Sequence, residues 1–280
     1  MQEGTRTKGS DPSLSSLKGI PESLLYPLIS RYVESKASDG LFKDPKSVEI
    51  LDVLDRDMSK SKLYVISRLG ICCRTLIFDE QVQAFLSSHP EGLIINLGCG
   101  LDTRFSRIDN GQLHWVDLDL PEVIAIKRRF FEESDRYRLT AKSVLDPSWA
   151  DKIPKGKKTL IIMEGLFYYL SKEENQGLLK TIKKHFPGSH LLIECLHPLF
   201  IRSAKKQAYK NPLDENISSM LKFSVKSGRE IAAWDDDLRF IEEWSVINRA
   251  RYRFPLRFRL LFALLPILTR SNKVTHLCYR

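Results

Sequence analysis

No C-x-x-C pair occurs in this chain, and its five cysteines are an odd number that includes the adjacent Cys72 and Cys73. That pattern argues against a cysteine-built zinc site or a redox dithiol and fits a reducing cytoplasm. Long apolar runs are missing too. The longest, "LLFALLPIL" at residues 260–268, is less than half of the roughly 20 residues that a membrane-spanning helix needs, and Pro266 interrupts it. The opening "MQEGTRTKGSDPSLSSLKG" has no continuous apolar core, so no secretory signal is expected and residues 1–20 read as a loose tail. There is no internal repeat, and no metal is expected.

What is present fits one large α/β body. The chain has 280 residues, 42% of them hydrophobic, with a mean hydropathy of -0.24, which suits a buried core and one domain with a cap. Residues 21–92 carry apolar residues three and four apart, as in "ESLLYPLISRYVESKA" and "LIFDEQVQAFLSSH", and predict an N-terminal helical cap. From residue 93 the pattern alternates between strand and helix, which predicts a mainly parallel sheet covered on both faces across 93–280. Strands are expected at 93–97, 113–118, 137–141, 159–163 and 190–195, with "RFIEEWSVI" and "KVTHLCY" closing the sheet. In "SKEENQGLLKTIKKHFPG", Ser171 and Glu174 form a capping box and Pro187-Gly188 a stop. The polar section at about 198–234 interrupts the alternation and is expected to form a helical lid.

The net charge of +9 concentrates at Arg249, Arg251, Arg253, Arg257 and Arg259. Such a cluster suits an acidic substrate, anionic lipid or nucleic acid, and its simplest reading is a solvated basic face. No recognition helix or RNA-binding motif accompanies it, so nucleic acid is not the expected partner.

"LIINLGCGLDTRFSRIDNGQLHWVDLDLPEV", residues 93–123, holds the sharpest chemical signal. Gly98 and Gly100 fall at the first strand-to-helix turn, where backbone can approach a ligand directly. A dinucleotide site wants a third glycine three residues later, and that position is Thr103. The part suited to a pyrophosphate is missing. The acids suited to a ribose are present, because Asp117 and Asp119 follow Gly98 by 19 and 21 residues on one strand face. Spacing favours Asp117 for the ribose, and Asp119, followed by Pro121 and Glu122, also reads as a helix N-cap.

A cofactor with adenosine, a ribose diol and no phosphate meets this description, and S-adenosyl-L-methionine is one. Its sulfonium welcomes carboxylates and aromatic faces. "IIMEGLFYYL" supplies both, with Glu164 at a strand end and Phe167, Tyr168 and Tyr169 after it.

The blocks "RTLIFDEQVQAFL", "IINLGCGLDTRFSRI", "WVDLDLPEVI", "AKSVLDPSW" and "LIIMEGLFYYL" occur in one order. In them the chain resembles the leucine carboxyl methyltransferase family, closer to its tetracenomycin-type polyketide O-methyltransferase branch. The resemblance implies a class I, Rossmann-like methyltransferase fold with a seven-stranded sheet. It also implies residue roles: Arg74 gripping the cofactor's methionine carboxylate, with Lys36 a looser match to a similar role. Gly98 matches the cofactor glycine, Asp119 the ribose contact, Ser143 and Val144 the pair beside the adenine, and Glu164 a glutamate at the cofactor. Leu120 stands where the family has an aromatic residue, and the leucine carboxyl branch has an aspartate at the place of Ser143. Both Asp117 and Asp119 therefore remain candidates.

The implied reaction is O-methylation of a small-molecule acceptor, with S-adenosyl-L-homocysteine as product. A carboxylate acceptor arrives ionised and needs no base, whereas a phenol with a pKa near 10 gains from one. His197, just beyond "HLLIEC", is the candidate base, and Tyr168 and Tyr169 are candidates to line the acceptor pocket. Alternatives are a methyltransferase for protein C-terminal carboxylates, a catalytically silent cofactor-binding regulator, and a nicotinamide-dependent dehydrogenase, which Thr103 argues against.

Overall fold

Strand β1 (Leu93–Leu97) is buried along its whole length, because helices cover both faces of the sheet and alternate residues enter different cores. A computed structural model of the chain describes residues 22–54, 65–207 and 219–280. The tail expected at 1–20 and residues 208–218 of the expected lid lie outside these. Beside β1 stand β2 (His114–Asp119), β3 (Tyr137–Ala141), β4 (Thr159–Met163), β5 (His190–Leu196), β6 (Leu238–Ser245) and β7 (Asn272–Tyr279). All seven expected strands are present.

Their order across the sheet is β3-β2-β1-β4-β5-β7-β6. Among the described residues β7 is the one reversed strand, antiparallel to both β5 and β6, and the other pairings are parallel. The chain winds outward from β1 through β2 to β3, then crosses back to β4 on the other side of β1. This switch opens a crevice at the carboxyl ends of β1 and β4, where ligands of such sheets bind.

One face of the sheet carries the cap, made of α1 (Glu22–Lys36), α2 (Pro45–Val53) and α3 (Val65–Ser88). Helix α2 starts where it does because Asp44 accepts the Ser47 amide at 3.1 Å and Pro45 occupies the first turn. Leu28, Ile50 and Phe78 of the cap pack with Ile94, Trp115 and Ile162 of the sheet. Short helices α4 (Arg104–Ile108) and α5 (Pro121–Lys127) follow β1 and β2.

On the other face lies α6 (Lys172–His185), whose Ser171–Glu174 capping box forms as expected. Its Leu178, Leu179 and Ile182 pack with Ile95, Leu97, Ile161 and Ile193, and full burial of each stabilises by roughly 1.5–3 kcal/mol. The period-two switch from Ile94 to Ile95 thus divides one strand between two cores.

The section expected as a lid divides in two. After α7 (Pro198–Gln207), Leu221 joins Tyr168, Leu196 and Ile201 in a small cluster. Val225 and Ile231, the latter in α8 (Gly228–Ala232), are buried in the main core on the α6 face. The chain then passes through β6, α9 (Val246–Arg249) and α10 (Leu256–Leu264) before β7.

Candidate active site

Gly98 and Gly100 stand at the carboxyl end of β1 with φ angles of 65° and 50°, a left-handed backbone that only glycine adopts without strain. The turn is closed by its own amides. Gly98 and Cys99 both donate to the Leu118 carbonyl, at 2.8 and 3.1 Å, and Gly100 donates to Asp119 Oδ2 at 2.7 Å. A cavity of about 230 Å³ adjoins it, lined by Gly98, Cys99 and Gly100, by Leu24, Tyr26, Pro27 and Arg31 of α1, and by Ile71 and Arg74 of α3. Asn96, Leu101, Asp102, Glu164, Gly165, Tyr168 and Tyr169 complete its wall.

Buried charge surrounds this cavity. Arg74 donates through Nε to Glu164 at 2.8 Å and through Nη1 to both oxygens of Glu194 at 3.0 and 2.9 Å. Arg104 holds Asp79, Asp102 and the second oxygen of Glu164 at 2.6, 2.5 and 2.6 Å. Burial opposes the charge on Arg74, but Glu194 and Glu164 outweigh it and hold the guanidinium well above its ordinary value. Burial likewise pushes Glu164 and Asp102 up, and the facing arginines pull both below the usual carboxylate range. These acids are held ionised.

Thr103, the residue in place of a third glycine, has a structural task. Its hydroxyl donates to Asp44 at 2.5 Å and accepts from Arg107 at 2.6 Å, while Arg31 reaches the same Asp44 at 3.0 Å. The bend is thereby tied to the cap.

The paired aspartates have separated. Asp117 is buried, and Asn96, Trp115 and Tyr137 donate to it at 3.0, 2.8 and 2.6 Å while Lys127 pairs with it at 2.8 Å. Four partners fill its acceptor sites. Asp119 is half-buried and turns back to the bend, accepting from Gly100 with one oxygen and from Leu120 with the other, both at 2.7 Å. The helix-cap reading of Asp119 is corrected, because the N-cap of α5 is Leu120 and no side chain caps that helix. Burial raises the Asp119 carboxyl, and the two amide donors counter this only in part.

The other expected residues are spread more widely. Ser143 and Val144 follow β3, with Ser143 half-buried and Val144 buried against Leu97 and Leu118. Lys36 is exposed at the end of α1, paired with Asp52 at 3.8 Å, and does not line the cavity. His197 is not brought to the cavity either. Its Nδ1 accepts the Leu199 amide at 3.2 Å at the start of α7, and partial burial with Lys273 and Lys226 nearby lowers its pKa. Tyr168 does line the cavity, with its hydroxyl 3.4 Å from Glu194.

Sequence reasoning missed Glu194, Arg104, Asp102 and Arg31. Glu194 carried a readable signal, as a lone charge inside the buried strand "HLLIECL", and such a charge requires a partner. The partner itself was hidden, since Arg74 is 120 residues away.

Comparisons with known proteins point the same way as the geometry. The leucine carboxyl methyltransferase family model matches residues 27–183, more than half of the chain. The chain is 28% identical over 233 residues to the tetracenomycin polyketide synthesis O-methyltransferase TcmP of Streptomyces glaucescens, covering 83% of this chain and 85% of that one. It is 30% identical over 199 residues to the S-adenosyl-L-methionine-dependent methyltransferase dpfgK of Gibberella zeae, covering 64% and 65%. Among solved structures, a DUF574 family protein from Streptomyces avermitilis shares the fold with a TM-score of 0.57 at 12% identity, over 92% of this chain and 97% of that one. With the family model, the ordered blocks and the crevice in agreement, the chain belongs to the leucine carboxyl methyltransferase family of S-adenosylmethionine-dependent methyltransferases.

Proposed function

We propose that this enzyme methylates an oxygen of a small-molecule carboxylate. The observation that carries the reading is the pairing of the cavity wall's acids with arginines. These acids, Asp102 and Glu164, are held below the usual carboxylate range, which makes them poor proton acceptors. Tyr168 is raised far above an ordinary phenol by burial and by Glu194, so it stays neutral. No histidine lines the cavity among the described residues. A carboxylate needs none of these groups to ionise it, whereas a phenol would. The relationship to an O-methyltransferase of tetracenomycin polyketide synthesis supports a small-molecule acceptor.

The cofactor fits the donor set. Among the described residues Arg74 spends Nε and Nη1 on glutamates, which leaves Nη2 for a carboxylate. Asp119 keeps lone pairs on both oxygens for a ribose diol, and Asp117 has none to spare, so Asp119 takes the ribose. Gly98 and Gly100 give the backbone room beside the adenosine, Ser143 and Val144 border the adenine, and Glu164 faces the cationic end. When bound, the cofactor supplies an electrophilic methyl group. The protein's contribution is to hold the acceptor in line with it and exclude water, with Tyr168 and Tyr169 as the wall on the acceptor side.

The test uses an acceptor with both groups, an aromatic hydroxy acid, with the product identified by NMR. A methyl ester formed at a rate flat between about pH 7 and 9 is expected, because the carboxylate is ionised throughout. A methyl ether as the sole product, with a rate rising toward the phenol pKa, overturns the carboxylate reading. Tight adenosylhomocysteine binding with no transfer to any carboxylic acid or phenol points instead to a silent binder.

A further inference from the structure

Helix α10 presents Leu256, Leu260 and Leu264 to solvent at 64, 56 and 78% exposure, and Leu261, Leu265 and Ile267 widen the same apolar surface. The spacing of four makes these leucines a ridge along one side of the helix. Its other side is anchored, with Phe262 buried and Phe258 packed against the cap-side core. A soluble surface rarely leaves so many adjacent large apolar side chains bare.

The charge around the ridge is one-sided. Residues 249–270 contain six arginines and no aspartate, glutamate or lysine. Two of the six are paired with acids of the same chain, Arg249 with Glu80 at the surface and Arg253 with Glu34 and Asp39. The other four, Arg251, Arg257, Arg259 and Arg270, make no ion pair among the described residues, and Arg257, Arg259 and Arg270 are exposed. Arg257 and Arg259 lie within α10 beside the leucines. A second cavity of about 580 Å³ opens next to the ridge, lined by Phe262, Ala263 and Pro266 and by Arg251, Arg270, Lys273 and Glu243. Glu243 pairs with Lys273 at 2.6 Å, which leaves Arg251 and Arg270 as its cations without an ion pair among the described residues.

We infer that α10 and the turn after it form a docking element for an anionic phospholipid bilayer. The leucines enter the acyl boundary, Arg257 and Arg259 reach back to the headgroups along their aliphatic stems, and the basic cavity receives a lipid phosphate. The chain lies on the membrane and does not cross it, since among the described residues no helix is long and apolar enough to span. A second copy of the chain fits this surface poorly. Two-fold pairing of the ridge would bring the same unpaired arginines together with no acid between them.

Co-sedimentation of the full chain with vesicles tests this. Vesicles of phosphatidylcholine with about a third phosphatidylserine should bind it, and pure phosphatidylcholine vesicles roughly tenfold more weakly. The double variant Leu260→Glu with Leu264→Glu should lose roughly tenfold or more. Arg257→Ala with Arg259→Ala should lose several-fold and flatten the salt dependence. Both pairs are exposed, and unchanged near-ultraviolet circular dichroism confirms that the variants fold. Failure of the wild type to sediment with anionic vesicles overturns the inference. So does unaltered binding by the leucine variant, or a dimer in sedimentation velocity that the leucine variant dissociates.

Discussion

Arg104 is fully buried with three carboxylates around it, whereas Arg257 and Arg259 are exposed with none among the described residues. The same residue type does different work in the two regions. Around the cavity, guanidinium groups bind the cap to the sheet, since Arg104 joins Asp79 of α3 to Glu164 beyond β4. Each fork also fixes the carboxylates that shape the site, which pre-organises it before any ligand arrives. On α10, Arg257 and Arg259 make no ion pair among the described residues. Folding constrains the first set and leaves the second free for surface recognition.

The largest effect should come from breaking the buried set. Arg104→Ala leaves Asp79, Asp102 and Glu164 without their cation, and should lower the unfolding free energy by about 3–5 kcal/mol in urea titration. Asp117→Asn, which strands Lys127, should follow by the same mechanism. A loss below about 1 kcal/mol for Arg104→Ala would remove the distinction between the two regions.

Next comes the arginine with capacity to spare. Arg74→Ala should weaken adenosylhomocysteine binding roughly 10–100-fold by calorimetry, the range for a lost charge-assisted hydrogen bond pair. Arg74→Lys should restore little of it, because an ammonium cannot serve two glutamates and a ligand in fixed directions. Affinity equal to wild type in either variant would break the assignment of Arg74 to the cofactor carboxylate.

Much of the sheet was legible because its signal is local. The short apolar run of β1 and the glycine bend lie within a few residues of each other, and the Ser171–Glu174 box spans four. The buried ion pairs were not legible, since Arg74 meets Glu164 and Glu194 only after the chain has crossed the sheet. For the aspartates, spacing placed both on one strand but could not say which was already filled. Trp115, Tyr137, Asn96 and Lys127 decide that for Asp117, and three of the four come from other elements. His197 stands off the cavity lining for a related reason. Its place after a strand end resembled a site position, yet its ring serves the first turn of α7.

A smaller effect should separate the two aspartates. Asp119→Asn keeps an acceptor for the Gly100 amide but weakens the bonds offered to a ribose diol, so adenosylhomocysteine affinity should fall roughly tenfold. Stability should stay within about 1 kcal/mol of wild type, since burial already works against the Asp119 charge. An unchanged affinity would return the ribose role to another acceptor.

The smallest effect belongs to the surface set. Arg257→Ala with Arg259→Ala removes two charges that face no carboxylate among the described residues, so stability should stay within about 0.5 kcal/mol. Lower net charge even relieves some self-repulsion in a chain of +9. Cofactor affinity and methyl transfer to a soluble acceptor should also match wild type, because neither residue lines the cavity beside the glycine bend. A stability loss above about 1 kcal/mol would mean that these arginines are tied into the fold as Arg104 is, and the contrast between paired and free guanidinium groups would fail on its exposed side.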